Sequence, residues 1–224
     1  MNYILLTEKK WHDVLFEYLS VRSNEEWVRI SDRKDFNLET LKSIRPDRIF
    51  IPHWSYIIPA SIYELYECIV FHMTDLPFGR GGSPLQNLIV RGHKETIISA
   101  LRVNQGIDTG PIYLKKPLSL QGTAQEIFER ASSVIEKMIP EIIEQEIKPV
   151  SQVGEPVIFK RRKRSDGQMN KLNNVPEVYD YIRMLDAEGY PPAYVETESL
   201  KIEFFSAENI NETEVTANVR ITKK

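Results

Sequence analysis

The sequence contains one cysteine and has no segment that resembles a membrane span. Cys68 is the single cysteine among 224 residues, so an internal disulfide is excluded, and its apolar surroundings predict a buried strand thiol. The first residues lack the basic flank and long apolar stretch of a signal peptide. No later run approaches the roughly 18 apolar residues of a membrane span. We therefore expect a cytoplasmic protein that makes no membrane contact.

The net charge and the distribution of histidines and glycines argue against three classes of binding site. The formal net charge is −3 and the pI is about 5.9, so no overall field attracts nucleic acid, although residues 160–164 form a local basic cluster. His12 and His93 are isolated, which argues against a metal site. No glycine-rich phosphate loop follows the first apolar run, so a standard dinucleotide site is not expected.

Short apolar runs rich in β-branched residues alternate with segments that have helical periodicity. This alternation predicts an α/β fold with a mostly parallel sheet. The predicted strands are 3–6, 26–30, 48–52, 68–72 and 96–103.

One helix carries the clearest signals in the chain. Thr123 and Glu126 have the spacing of a capping box, and an apolar stripe continues from Ala124 to Ile143. Lys148-Pro149 ends the pattern, and a shorter helix is predicted at 176–187. We therefore predict a main domain at 1–147 and a small C-terminal domain at 148–224.

Two loops carry the candidate chemistry. His72 ends the fourth predicted strand, where open α/β sheets bind ligands, and Ser83-Pro84 indicates an N-cap followed by a first-turn proline. Asp108 lies between two glycines in the loop after the fifth strand. Alone, His72 could equally be structural and Asp108 an ordinary turn aspartate. Their combination favours a functional site.

The two loops together resemble the formyltransferase family that includes glycinamide ribonucleotide, methionyl-tRNA and sugar N-formyltransferases. The family pattern is Asn-x-His at a strand end, then Leu-Pro, Arg-Gly, a helix-opening Pro and an Asp-x-Gly loop. Asp108 lies 36 residues after His72, which is the family spacing. The matching residues are His72, Leu76-Pro77, Arg80-Gly81, Pro84 and Asp108-Thr109-Gly110.

The resemblance implies a Rossmann-like formyltransferase core with a small C-terminal α+β domain. It implies N10-formyltetrahydrofolate as the co-substrate, no metal, and His72 and Asp108 as catalytic residues. The predicted folate contacts are Trp54, Ser55, Tyr56, Ile58, Asn104, Gly106, Ile107 and Gly110. The predicted acceptor contacts are Thr74, Phe78, Arg80, Gly81, Gly82, Ser83, Arg162 and Tyr190.

Formyl transfer to an amine places negative charge on the formyl oxygen and an extra proton on nitrogen. The resemblance assigns the oxygen to His72. It assigns to Asp108 the orientation of His72 and the acceptance of the amine proton, directly or through water.

One residue departs from the family pattern. Val70 replaces the asparagine two positions before the histidine and cannot donate a hydrogen bond. Three explanations stay open. Another donor could serve, with Thr74, Ser83, His53 or a loop N–H as candidates; His72 could act without the second donor; or the protein could be inactive.

The acceptor is predicted from the C-terminal region. A polyanionic tRNA should meet a broad basic face, but residues 148–224 carry similar numbers of acidic and basic side chains. Glycinamide ribonucleotide enzymes usually lack this region. We therefore predict a nucleotide-linked 4-amino-4,6-dideoxy sugar, specifically the UDP-linked N-acetyl-altrosamine of the pseudaminic acid pathway, and no nucleic-acid partner.

Two alternatives are kept beside this choice of acceptor. One is a methionyl-tRNA formyltransferase-like enzyme, and the other is an inactive folate- or nucleotide-binding relative. The nucleotide base and the oligomeric state, a homodimer included, are left open.

Overall fold

The structure is a computed structural model that describes residues 1–22 and 25–224, without the side chain of Arg22. The strands are β1 (Asn2–Thr7), β2 (Glu26–Ile30), β3 (Arg48–His53), β4 (Glu67–His72), β5 (Phe78–Gly81), β6 (Glu95–Arg102), β7 (Ile112–Ser119), β8 (Val157–Phe159), β9 (Ala193–Glu196), β10 (Leu200–Asn211) and β11 (Glu214–Lys223). The α-helices are α1 (Asp13–Arg22), α2 (Leu38–Ile44), α3 (Ala60–Tyr63), α4 (Pro84–Ile89), α5 (Ala124–Glu144) and α6 (Val175–Arg183).

The main sheet has the strand order β2-β1-β3-β4-β6-β7. Strand β1 pairs in parallel with β2 and β3, and β3 pairs in parallel with β4. All five predicted apolar runs are strands of this sheet. The predicted α/β, Rossmann-like fold with a mostly parallel sheet is therefore confirmed. Among the described residues, no helix has the length and hydropathy that crossing a bilayer requires.

Strand β6 departs from the parallel pattern. It runs antiparallel to β4, with His72 opposite Ser99 and Ile69 opposite Arg102. The loop after β6 therefore starts beside the beginning of β4, where the Val103 N–H donates to the Cys68 carbonyl (2.9 Å). His72 lies at the other end of β4, so the direction of β6 does not by itself place this loop beside His72.

Contacts divide the chain into two compact units. The first contains Met1–Gly81, Ile97–Leu118 and Glu129–Ile158, and the second contains Gly82–Thr96, Ser119–Phe128 and Phe159–Lys224. The predicted domain boundary between residues 147 and 148 stays a prediction.

The core of the first unit is formed by side chains of the central strands, including Ile4, Leu6, Ile49 and Ile51. Cys68 is 1% exposed in this core, and burial raises the pKa of its thiol to about 12. A thiol in this environment is not a nucleophile at neutral pH.

The second unit has its own sheet, in the order β11-β10-β9, with antiparallel pairing throughout. Met169, Ile182 and Ala193 form its buried cluster, against which Phe204 packs. Helix α6 ends at Arg183, four residues before the predicted end. The N–H groups of Leu185 and Asp186 donate to carbonyls three residues earlier, which tightens the chain into a turn.

The two predicted helix starts have different outcomes. At α5 the capping box is present, because the Thr123 N–H donates to Glu126 and the Glu126 N–H donates to the Thr123 hydroxyl. Ser83 precedes α4 as predicted, but its side chain makes no capping bond and its φ is 53°. Its hydroxyl instead accepts from the Arg162 N–H at 3.0 Å.

A buried histidine in the first unit should make stability depend on pH. His12 is 2% exposed, with Nδ1 2.8 Å from the Ser132 hydroxyl, and burial lowers its pKa to about 3. Between this value and about 6.5 the unfolded chain binds a proton that the folded chain does not. The free energy of unfolding should therefore decrease as the pH is lowered through this window. His12 alone should account for a loss of about 2 kcal/mol between pH 7 and pH 5.

Urea unfolding at pH 7 and pH 5 measures this loss. His12→Gln should reduce the pH dependence, whereas His93→Asn, at an exposed histidine, should leave it unchanged. Equal losses in wild type and His12→Gln would contradict the assignment.

Candidate active site

His72 lies at the end of β4 and is 7% exposed. Its Nε2 is 2.8 Å from the carbonyl oxygen of Gly79, which adopts a φ of 77° in the following loop. A carbonyl oxygen only accepts hydrogen bonds, so Nε2 must carry a hydrogen. Nδ1 is therefore the ring nitrogen that can act on a reacting group.

Asp108 contacts this nitrogen. Its Oδ2 is 3.5 Å from His72 Nδ1 and accepts a hydrogen bond from the Gly81 N–H at 2.9 Å. Asp108 has a φ of 53°, a left-handed conformation that aspartate tolerates better than most residues. Both side chains are largely buried, with exposed fractions of 8% and 15%.

The pair can hold a proton at a defined place. With hydrogen on Nε2, a neutral ring presents a lone pair at Nδ1 to the carboxylate, which is unfavourable. A proton on Nδ1 or on the carboxyl group makes the contact attractive, because the proton then lies between a donor and an acceptor. Acyl transfer to an amine requires two groups close together, one that stabilises an oxyanion and one that accepts a proton.

The loop after β4 is held by polar contacts to β6. The Ser99 hydroxyl donates to the Thr74 carbonyl (2.7 Å) and accepts from the Leu76 N–H (3.4 Å), and Ser99 is fully buried. The Thr74 hydroxyl donates to Gly79 O at 3.4 Å. Ser99 thus fixes the segment that orients His72. It was not predicted, because a serine inside an apolar strand carries no sequence signal of this role.

The loop that carries Asp108 is internally bonded. Asn104 Oδ1 accepts from the Gly106 N–H (3.2 Å) and the Thr109 hydroxyl (2.8 Å). A Cβ on Gly110 would lie 1.7 Å from the Arg102 carbonyl oxygen, so only glycine fits there. Ile107, beside Asp108, is 63% exposed.

Gln152 joins this loop to a predicted acceptor residue. Its Nε2 donates to the carbonyls of Asp108 and Gly110, both at 2.8 Å. Its Oε1 accepts from Arg80 Nε (3.0 Å) and Arg80 Nη2 (2.7 Å). Gln152 was missed because it lies after residue 147, in a stretch that the sequence assigned to the appended domain.

The predicted folate segment after β3 is partly exposed, with Ser55 and Tyr56 at the surface and Ile58 buried. Trp54 makes an edge contact with Tyr56, and Ser55 donates to Glu8. Tyr56 is 42% exposed, with the Arg33 guanidinium 4.6 Å from its ring centroid. Ile58 is buried in the core, so its side chain is not available to a ligand.

The predicted acceptor residues fall in both units. Thr74, Phe78, Arg80 and Gly81 belong to the first unit, where Arg80 and Gly81 have the contacts described above. Gly82, Ser83, Arg162 and Tyr190 belong to the second unit. There the Gly82 N–H donates to the Phe159 carbonyl, the Arg162 guanidinium lies 5.5 Å from the Tyr181 ring centroid, and Tyr190 stacks on Phe128.

Val70 lies half-buried in β4, opposite Ile51 and Leu101. The structure describes two of the candidates for the missing donor, Thr74 and His53. Thr74 is fully buried and already donates to Gly79 O. Burial, and secondarily the Lys9 cation, lower the pKa of His53 to about 4. The explanations offered for Val70 stay predictions. In the part of the chain that the structure describes, no three potential ligands gather into a metal site.

Comparison with known proteins places this geometry in a family. A family model described as "Formyl transferase" matches residues 16–143. The chain belongs to the formyl transferase family. A second model, described as "Methionyl-tRNA formyltransferase, C-terminal domain", matches residues 164–222. N10-formyltetrahydrofolate, predicted as the formyl donor, is confirmed for this family.

Individual relatives refine the comparison. A methionyl-tRNA formyltransferase from Thermodesulfovibrio yellowstonii is 31% identical over 159 residues, which cover 67% of this chain and 52% of the relative. The chain thus spans about half the length of that relative. A solved methionyl-tRNA formyltransferase from Clostridium thermocellum is 44% identical, matches 100% of both chains and has a TM-score of 0.97. HypX from Aquifex aeolicus, solved with tetrahydrofolic acid, shares the fold (15% identity, 92% of this chain and 37% of that chain, TM-score 0.76).

These relatives correct two predictions. The nucleotide-linked amino sugar of the pseudaminic acid pathway was the wrong acceptor, because the chain's similarity runs to methionyl-tRNA formyltransferases over its catalytic and C-terminal segments. The exclusion of a nucleic-acid partner was wrong for the same reason. The error lies in the charge argument, since a balance of acidic and basic residues does not report where the charges lie.

Proposed function

We propose that this chain transfers the formyl group of N10-formyltetrahydrofolate to the α-amino group of methionine attached to tRNA. The observation that carries the proposal is the 44% identity to the methionyl-tRNA formyltransferase from Clostridium thermocellum over the whole length of both chains. The His72–Asp108 contact supports it, because it supplies the two groups that the reaction needs.

His72 and Asp108 have separate roles in the proposed reaction, and backbone groups hold both side chains in place. His72 donates through Nδ1 to the formyl oxygen as negative charge develops there, while Gly79 O holds Nε2 and fixes the ring. Asp108 balances the charge of the ring and accepts the proton that the attacking amine releases. That proton passes to N10 as the bond between N10 and the formyl carbon breaks, so that tetrahydrofolate leaves. The Gly81 N–H keeps the carboxylate in place.

The loop beside this pair fits a folate. The exposed Ile107 offers an apolar surface directly next to Asp108, and the main chain around it is fixed by Asn104 and Gln152. A flat ring system with polar edges needs this combination of apolar contact and ordered backbone groups. When bound, the folate supplies the formyl carbon, and residues 104–110 hold it.

The basic cluster at 160–164 suits a polyanionic acceptor. Lys160, Arg161, Lys163 and Arg164 are exposed, with Asp166 and Glu203 in contact with the cluster, and three further acids, Glu208, Glu212 and Glu214, lie near the β10–β11 turn. The backbone of the cluster is anchored, because Asn87 donates to Lys160 O and the Lys163 N–H donates to Asp166. An ordered backbone that presents cations favours contacts to phosphate.

Removal of two of these cations should weaken tRNA binding. Lys160→Ala/Lys163→Ala is expected to reduce the slope of log K against log salt by about two, one for each phosphate contact, with little change in kcat. Filter binding of Met-tRNA over a salt series measures this slope. Lys137→Ala, an exposed lysine on α5, is the control. An unchanged slope in the double variant would remove this cluster from the tRNA interface.

The proposed reaction is tested by incubating the purified protein with N10-formyltetrahydrofolate and Met-tRNA. Mass spectrometry of the released amino acid should show formylmethionine, and tRNA carrying N-acetylmethionine should remain unmodified because its amine is blocked. Absence of formylmethionine while the protein binds a folate analogue would contradict the proposal. That result would favour the inactive, folate-binding relative.

A further inference from the structure

Gln152 lies in a segment that is pinned at both ends within the first unit. Val150 and Ile112 exchange two backbone hydrogen bonds of 2.8 Å, and the Val157 N–H donates to Pro77 O at 3.2 Å. Gln152 lies between these anchors, so its side chain is presented from a fixed backbone.

The amide of Gln152 uses all of its hydrogen-bonding capacity. Two hydrogens go to the carbonyls of Asp108 and Gly110, and the oxygen accepts two bonds from Arg80. Reversing the amide would place its oxygen against two carbonyls and its hydrogens against a guanidinium. The surroundings thus fix one orientation of the side chain.

Asp108 needs such support because its backbone adopts a left-handed conformation, with a φ of 53°. Conformations of this kind persist when surrounding contacts hold them. The Gln152 bond to the Asp108 carbonyl acts on the residue whose carboxylate faces His72. Small displacements of reacting groups have large effects on rate.

We propose that Gln152 is a positioning residue for formyl transfer. It fixes the Asp108 backbone so that Oδ2 stays beside His72 Nδ1, and it couples this loop to the Arg80 guanidinium. The inference rests on the proposed function, since it assigns Gln152 a part in the same reaction. Gln152 acts through Asp108 and does not touch the reacting atoms.

Two substitutions separate the parts of this role. Gln152→Glu keeps an oxygen for Arg80 but places a second oxygen against the two carbonyls, so the Asp108 loop should lose its support. Gln152→Met keeps the length and bulk of the side chain and removes both sets of bonds. We expect kcat at saturating folate to fall about 10- to 100-fold in each variant. The KM for the folate should rise as well, because residues 104–110 also hold the folate. Gln145→Ala, an exposed glutamine near the end of α5, should match wild type.

Two further readouts distinguish positioning from general stability. In the Asp108→Asn background, Gln152→Met should lower kcat by less than threefold, because the group on which it acts is already disabled. Hydrogen exchange of the peptide containing residues 104–111 should be faster in both Gln152 variants, without folate and without turnover. Circular dichroism and thermal unfolding establish that the variants are folded.

Each failure has a distinct meaning. If wild-type protein formylates Met-tRNA but both Gln152 variants retain wild-type kcat, the positioning role is wrong. An equal loss in the wild-type and Asp108→Asn backgrounds, with unchanged exchange at 104–111, would also overturn it. If wild-type protein itself forms no formylmethionine, the proposed function fails, and the exchange result alone decides whether Gln152 orders the loop.

Discussion

Replacement of His72 with asparagine is expected to lower kcat for formyl transfer at least ~100-fold. The variant loses the ring nitrogen that faces Asp108. Because His72 acts on charge that develops during the reaction, affinity for the folate in the ground state should change little. Steady-state kinetics with Met-tRNA, together with calorimetry using a folate analogue, measure the two quantities.

The exposed residue His93 provides the matched control, because His93→Asn makes the same chemical change at a residue that has no part in the proposed mechanism. His72→Gln is a second variant whose amide can still donate to Gly79 O, so a collapsed loop can be distinguished from a missing imidazole. Turnover within threefold of wild type in both His72 variants would remove His72 from the mechanism.

The second large effect is expected from Asp108→Asn. The new amide keeps an oxygen for the Gly81 N–H, so the loop should hold its conformation while the negative charge is lost. Without that charge the side chain can neither stabilise a protonated His72 nor accept the amine proton. We expect kcat to fall at least ~100-fold, with a thermal unfolding midpoint close to that of wild type.

Asp75→Asn is the control for Asp108, because Asp75 is an exposed acid in the loop after His72 and pairs with Lys115. Its loss should leave kcat unchanged. If Asp108→Asn remained active, or lost activity only in proportion to lost folded protein, the assignment of the proton acceptor would be wrong.

The sequence predicted the sheet well, because its strands are short apolar runs with clear ends. The direction of β6 could not be predicted from the sequence. Strand direction follows from the crossover that precedes the strand. An apolar run such as Thr96–Leu101 does not indicate whether the strand pairs in a parallel or an antiparallel direction. The approach of Asp108 to His72 therefore came from the resemblance to a family, and the structure gives it a distance.

Long-range polar contacts could not be predicted from the sequence either. Gln152 lies 44 residues from Asp108 and 72 from Arg80, and a glutamine in a loop has no periodicity to reveal its partners. Ser99 is hidden in the same way within a strand. These residues determine whether His72 and Asp108 are held in position, so a motif alone describes only part of this site.

The wrong acceptor arose from a linear count of charges. In the second unit the buried Glu203 contacts Arg164, Lys201 and its cross-strand partner Arg220, which neutralises one acid while Arg164 and Arg220 remain more than half exposed. These contacts lower the pKa of Glu203, chiefly through the hydrogen bond from Lys201. A count gives every charge equal weight, whereas a bound polyanion responds to exposed charges on one face.

The most direct test of the His72–Asp108 pair is a double-mutant cycle on kcat/KM for Met-tRNA formylation, built from His72→Asn, Asp108→Asn and the combination. Two groups that act as one unit should not have independent effects, so the double variant should lie within about tenfold of the worse single variant. If instead the two losses multiply, so that the double variant falls by the product of the single effects, the residues act separately and the pair is not the catalytic centre.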